Sequence, residues 1–198
     1  MQAQLFSQPL TQADLVYTPD WAASDMVEWF KPNGVVLEPC KGDGAIYRYL
    51  PEGAEWCEIQ DGRDFFAWHT PVDWVITNPP YSLFREFVMH GLDIAANVVY
   101  LVPLKNFFTA YSIMEWCKSR GWIKHIRTYG TGSKLNFPMG NPVGAIHWQK
   151  NYHGETSWSW YAPNTGLHPT RLTRRPRVGS GVQGSTSRKV SFTSPPRG

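Results

Sequence analysis

The sequence predicts an α/β fold: a mostly parallel sheet with helices on both faces and an antiparallel, hairpin-like end. Three observations carry this expectation. Short β-branched runs such as "VVLEP" and "VVYLVP" are apolar at successive positions, as in strands covered on both faces. Segments with helical spacing alternate with them, which implies crossover connections and parallel pairing. Late in the chain, "WIKHIRTY" and "VGAIHWQ" are separated by the Gly/Pro-rich "GTGSKLNFPMGNP", which gives the hairpin-like end.

The first helix is expected in "YTPDWAASDMVEWF", entered through Thr18 as N-cap with Pro19 at the first helical position. Asp20 falls near the positive end of its dipole, and Ala22, Met26, Trp29 and Phe30 form its apolar face. "KPNG" stops it. The strand "VVLEP" runs into "CKGDGA", a glycine-bearing turn that opens a short helix, "IYRYL", ended by "PEG". A second strand, "EWCEI", leads through "QDGRDFFAW" to a third, "DWVIT". "SLFREFVMHGLDIAAN" then has helical spacing, with Leu83, Phe87 and Leu92 apolar. The strand "VVYLVP", a helix "FFTAYSIMEWCKSRG" and the two hairpin-like strands complete the order, without an internal repeat.

Composition narrows the function classes. With 198 residues, 42% of them hydrophobic, and ten tryptophans, the chain can bury one sizeable core. No apolar run approaches the roughly 18–20 residues of a membrane span, and "MQAQLFSQPLTQADL" lacks the basic-then-apolar pattern of a secretory signal. A cytoplasmic location is the expectation. Cys40, Cys57 and Cys117 are odd in number and far apart, so they form neither a disulfide framework nor a CxxC metal cluster and read as reduced packing thiols.

The net charge of +3 conceals a division. Residues 165–198 carry seven Lys and Arg and no acid, which leaves 12 basic against 16 acidic residues in 1–164. Residues 1–164 are therefore expected to be the folded domain, and 165–198, rich in Pro, Gly, Ser and Arg, a basic tail too poor in apolar residues to order when free. Between Glu115 and Glu155 there is no carboxylate. Lys118, Arg120, Lys124, Arg127 and Lys134 fall in that interval and are the candidate nucleic-acid contacts. The alternative is a solvated surface whose acids lie elsewhere in sequence.

In an open parallel sheet ligands bind beyond the carboxyl ends of the strands, so the chemistry is sought in the strand-to-helix turns. Glu38 ends the first strand, and Gly42 and Gly44 then permit a tight turn with close backbone approach. Without GxGxxG or a Walker lysine this turn is ill suited to a pyrophosphate, while the acid beside it welcomes an ammonium group. Glu58, at the end of the second strand, can accept both hydroxyls of a ribose. Asp64, Phe65 and Phe66 offer a hydrogen-bonding group and apolar walls for an adenine. Together these point to a nucleoside carrying a cationic amino-acid group.

In order, "VLEPCKGDGA", "CEI", "GRDFF" and "DWVITNPPYS" resemble the successive motifs of S-adenosylmethionine-dependent amino-methyltransferases, most closely the small N6-adenine DNA methyltransferases of phages and bacteria. The resemblance covers roughly residues 15–150. It implies a Rossmann-like class I methyltransferase fold, with S-adenosylmethionine as cofactor and DNA as partner. It implies that Glu38, Cys40, Gly42 and Gly44 surround the methionine part of the cofactor, that Glu58 holds its ribose, and that Asp64 with Phe65 holds its adenine. Thr18 and Pro19 resemble a "TP" element that also lines the cofactor pocket. The NPPY motif, Asn78, Pro79, Pro80 and Tyr81, is the most specific element, with Asn78 also at the cofactor.

The physics of NPPY follows from its target. An exocyclic amino nitrogen is a poor nucleophile because its lone pair is delocalised into the ring. Two acceptors that take both its hydrogens favour a more tetrahedral nitrogen. Asn78 offers a side-chain carbonyl and Pro79 a main-chain carbonyl, while the prolines fix the torsions and Tyr81 stacks on the flipped base. No metal is needed. Two departures from the family pattern stand out. The interval from Asp64 to Asp73 is too short for a strand–helix unit, so one of the usual seven strands is expected to be missing. No separate target-recognition domain has room, which predicts a short or weakly specific recognition sequence. Methylation of RNA or of a protein glutamine, and a non-enzymatic nucleic-acid binder on the same scaffold, stay open as alternatives; so do a restriction endonuclease partner and the oligomeric state.

Overall fold

The structure, a computed structural model, describes residues 16–108, 111–131 and 140–162. Lys134 and the expected tail at 165–198 lie outside the described residues. Seven strands form one sheet in the order β2-β1-β3-β4-β6-β5-β7. They are β1 (Val36–Glu38), β2 (Glu55–Trp56), β3 (Val72–Thr77), β4 (Ala95–Pro103), β5 (Gly121–Thr131), β6 (Pro142–Lys150) and β7 (Ser157–Trp160). All run parallel except β6, which pairs antiparallel with both β4 and β5.

Helices cover both faces because the strands are apolar on both. α1 (Asp20–Phe30) sets Ala22, Ala23 and Met26 against Val36, Ile76, Val99, Leu101 and Ala145. On the other face α2 (Phe84–Ile94), α3 (Leu104–Phe108) and α4 (Tyr111–Lys118) bury Phe87, Val88, Phe107 and Ile113 against Leu37, Val75, Val98, Tyr100 and Trp148. Successive residues Val98 to Val102 thus alternate between two cores, which is why the run carries no polar position. The entry of β1 is pinned to the start of β3. Gly34, at φ +72°, leaves room for the Asp73 carboxylate, which accepts the Val35 amide at 2.7 Å; a Cβ there would lie 2.2 Å from Asp73 Oδ2.

Three expectations change. Thr18 is not the N-cap: α1 starts at Asp20 after Pro19, no side chain caps it, and the Thr18 hydroxyl is engaged elsewhere. Among the described residues the sheet has seven strands, not six. Between Asp64 and β3 there is indeed only a short 3₁₀ turn, Phe65–Ala67, but β7 adds a strand at the opposite edge, parallel to β5. The helix expected after β4 is described as α3 and α4 on either side of residues 109–110, which lie outside the description. No helix among the described residues is long and apolar enough to cross a membrane.

Candidate active site

The strand order reverses at β1, whose neighbours are β2 on one side and β3 on the other. Beyond the carboxyl ends of β1 and β3 opens a cleft of about 460 Å³, within the range of about 300–1,000 Å³ usual for small-molecule sites. Its wall on the β1 side is the turn after Glu38. Gly42 and Gly44 sit at φ +51° and +81°, the left-handed region that glycine enters without penalty, and a Cβ on either would meet nothing within 4 Å. The turn is held by three bonds: Gly44 N to Lys41 O at 2.8 Å, Lys41 N to Cys57 O at 3.0 Å, and Gly42 N to Glu58 Oε2 at 2.8 Å. Glu58 also accepts the Gln60 amide at 3.2 Å, so its carboxylate is fixed by two backbone donors and keeps lone pairs for a ligand.

Asp64 caps the next turn through Phe66 N at 2.9 Å, which places Phe65 and Phe66 beside Phe87 as an aromatic wall. Four carboxylates, Asp43, Glu58, Asp61 and Asp64, line the cleft, and its described lining holds no Lys, Arg or His. Such a site repels phosphate and attracts a cation.

Asn78 follows β3. Its Nδ2 donates to Val16 O at 2.9 Å and to Thr18 Oγ1 at 3.1 Å. Val16 O can only accept, so the amide orientation is fixed and Oδ1 must point the other way. That oxygen is buried, has no hydrogen-bond partner among the described residues, and belongs to a residue on the cleft wall. A buried acceptor without a donor is costly, and such atoms in native folds call for an explanation. The Tyr81 hydroxyl is also buried and within reach of the Asn78 amide, though no well-formed hydrogen bond joins it to a described residue; burial holds its phenol above the ordinary value, and the polar contact with Asn78 draws it partly back.

Glu38 is 1% exposed, and its Oε2 has no hydrogen-bond partner among the described residues. Burial, then the charge of Asp43, push its carboxyl up to about 9. Cys40 lies on the cleft with its thiol pushed up by burial and by Glu58 and Glu38.

The structure therefore gathers Cys40, Gly42, Glu58, Asp64, Phe65, Asn78 and Pro80 on one cleft. Glu38, Gly44, Thr18, Pro19, Pro79 and Tyr81 do not line it: Gly44 shapes the turn, Thr18 orients Asn78, and Glu38 lies beneath. Sequence reasoning missed Val16, Tyr17, Asp43, Asp61, Leu83 and Phe87 as lining residues. Tyr17 stood beside the TP element and Asp43 inside the glycine turn, so both carried a local signal; Val16 carried none.

The basic candidates are scattered. Arg127 is a correction: it is 5% exposed, bonds Asp25 through Nε and through Nη2 at 2.6 Å, and lies 3.9 Å over the Trp29 ring. A phosphate would have to break that buried pair. Arg120 pairs with Asp93 at 3.4 Å and stacks on Trp116, and with Lys118 it precedes β5 at the amino end of the parallel strands, opposite the cleft. Lys124 is exposed on β5.

No family model matches the sequence, and no curated protein matches it. Solved structures do. A chain assigned as a class I S-adenosylmethionine-dependent methyltransferase from Listeria monocytogenes aligns over 72% of this chain and 65% of its own, with a TM-score of 0.54 and 15% identity. One assigned as an RNA methyltransferase from Pyrococcus horikoshii aligns over 73% and 91%, with a TM-score of 0.54 and 15% identity. A type I restriction-modification methyltransferase subunit from Streptococcus thermophilus aligns over 76% and 48%, with a TM-score of 0.58 and 16% identity. This chain thus spans less than two thirds of the Listeria chain and about half of the Streptococcus subunit. At these identities the likeness establishes the fold, that of the class I methyltransferases, and nothing finer.

Proposed function

We propose that the protein transfers a methyl group from S-adenosylmethionine to the exocyclic amino group of adenine in DNA. The observation that carries this reading is Asn78 Oδ1: a buried acceptor on a residue of the cleft wall, without a hydrogen-bond partner among the described residues, its orientation dictated by Val16 and Thr18. An acceptor so placed is matched to an N–H donor.

The cleft's residues fit the cofactor. Carboxylates suit a ligand with a sulfonium and an ammonium group, the open side of Gly42 admits its backbone-hugging part, Glu58 is fixed for the ribose hydroxyls, and Phe65, Phe66 and Phe87 suit the adenine. When bound, S-adenosylmethionine supplies a methyl group already activated by its positive sulfur.

The chain's own residues then have a positioning task. Asn78 Oδ1 accepts one hydrogen of the amino group and the Pro79 carbonyl accepts the other, which turns the nitrogen lone pair out of the ring plane. The Pro80 carbonyl is occupied by the Leu83 amide at 3.0 Å, so the turn is braced from behind. Tyr81 packs beside the cleft without lining it, and by turning its ring toward Asn78 it stacks on the flipped base and offsets part of the cost of extruding it. DNA is favoured by the NPPYS and GRDFF motifs together with the fold shared with a restriction-modification methyltransferase subunit, which also makes a restriction endonuclease the first partner to seek.

The test is incubation of the full chain with labelled S-adenosylmethionine and separate DNA, RNA and protein substrates, followed by nucleoside and amino-acid analysis. Label in N6-methyldeoxyadenosine is expected. Label only in RNA or in glutamine would replace the substrate assignment, and none in any substrate would overturn the activity.

A further inference from the structure

β7 is an edge strand whose two faces differ sharply. Its serines share the face toward His125: Ser157 Oγ, exposed, and Ser159 Oγ, buried, lie 2.6 and 2.7 Å from the ring nitrogens of His125, and Ser159 Oγ also accepts from Arg127 Nη1 at 3.3 Å. Alternation along the strand sends Trp158 and Trp160 to the opposite face, where each is 54% exposed. There Phe108 of α3 lies parallel to Trp158, ring centroids 6.2 Å apart and planes 13° apart, and is itself 47% exposed. Tyr111, which opens α4, is 74% exposed. Surfaces that concentrate large apolar side chains in this way mark interaction sites.

Register places this row at the cleft's end of the sheet. Trp160 pairs with Thr128, Thr128 with Gly144, and Gly144 with Val102, two residues beyond the partner of Thr77. Four strand steps separate β3 from β7, a span of about 19 Å at about 4.8 Å per step. Positive charge accompanies the rings. Lys105 is exposed and shares a helical face with Phe108 three residues on, and Arg85 is exposed just after the Asn78–Tyr81 turn. The cleft itself is acidic, so polyanion contacts belong on this flank.

We propose that Trp158, Trp160 and Phe108 form a stacking platform for the unpaired bases of a nucleic-acid strand, with Lys105 meeting its phosphates. Two nearly parallel, half-exposed rings, Phe108 and Trp158, with exposed Trp160 on the same face of the strand and a cation on the adjoining helix, match what single strands present: π faces at every base and a charge at every link. A strand opened to extrude one base toward Asn78 would be kept open across this face. The inference rests on the reading of the protein as a nucleic-acid methyltransferase and replaces the contacts expected from Arg127 and its neighbours.

The experiment is fluorescence anisotropy of the full chain with a short labelled single-stranded oligodeoxynucleotide across a salt series. The variant pair Trp158→Ala, Trp160→Ala is expected to bind about tenfold more weakly or worse with an unchanged salt slope, and Trp158→Phe, Trp160→Phe to stay within about threefold of wild type. Lys105→Gln should lower the salt slope by about one. Wild-type affinity in the alanine pair overturns the proposal; if that pair fails to unfold cooperatively, a wild-type salt slope in Lys105→Gln overturns it instead. A wild-type dimer that the alanine pair converts to monomer, with oligonucleotide affinity intact, assigns the face to a second copy of the chain and also overturns it. Methyl transfer is scored separately: intact transfer with an indifferent platform refutes only this inference, whereas oligonucleotide binding through the platform without transfer to any nucleic acid refutes only the activity.

Discussion

In the proposed function a single amide carries the chemistry. Asn78 is oriented by two acceptors drawn from the chain before α1, Val16 O and Thr18 Oγ1, some 60 residues away in sequence. Thr18 is thus a positioning residue. Thr18→Val keeps the shape and removes one acceptor, so Asn78 should gain rotational freedom: kcat is expected to fall about tenfold, the cost of about 1.4 kcal/mol of lost orientation, with the KM for the methyl donor little changed. Steady-state kinetics at saturating DNA checks this, and a change confined to KM would show that Thr18 serves the cofactor instead. At this scale the sequence was most legible where chemistry is local. That Asn78, Gly42 and Glu58 lie on one cleft was readable because the turns that hold them are contiguous with their strands. Arg127 was not, because its partner Asp25 lies 102 positions away and nothing near Arg127 distinguishes a buried guanidinium from a surface one.

Among elements, the buried Arg127–Asp25 pair joins α1 to β5 and, through Ser159, to β7. Removing one partner leaves an uncompensated charge in the core, so Asp25→Ala should destabilise the fold by about 3–5 kcal/mol, whereas neutralising the exposed Arg48–Asp20 contact should cost under about 1 kcal/mol. Urea unfolding compares the two; equal midpoints would mean that the buried pair adds nothing to α1 docking. The strands β1, β3 and β4 were legible as apolar runs. β7 was not: "SWSW" is four residues long, alternates serine with tryptophan, and acquires its strand character only from pairing with β5. The expected N-cap failed for a related reason, since Thr18 has the right chemistry for a cap but its hydroxyl is taken by Asn78.

For the whole molecule, burial sets stability against pH from both sides. Burial, aided by Arg127, lowers His125 from 6.5 to about 4, and burial, aided by Lys124, lowers His147 to about 3. The unfolded chain binds these protons first as pH falls below 6.5, so stability is lost from there toward about pH 4 for His125 and about pH 3 for His147. Glu38 acts in the opposite sense. Its folded value of about 9 exceeds the ordinary 4.5, so the unfolded chain releases a proton that the fold retains, and stability is lost as pH rises through that window. Thermal melts should therefore fall on both sides of a maximum. Glu38→Gln is expected to flatten the alkaline side alone; a variant whose alkaline limb matches wild type would place that loss on another group. None of this was readable from composition, which reports how many titratable groups there are but not which are buried.

In the proposed mechanism an acceptor fixed at the end of β3 makes an amino group attack the methyl donor. Single-turnover methyl transfer to adenine by Asn78→Ala, at saturating cofactor with cofactor affinity measured in parallel, tests it most directly. A rate lower by about 10²–10³ with cofactor affinity nearly unchanged is the predicted result. Transfer at the wild-type rate would contradict it.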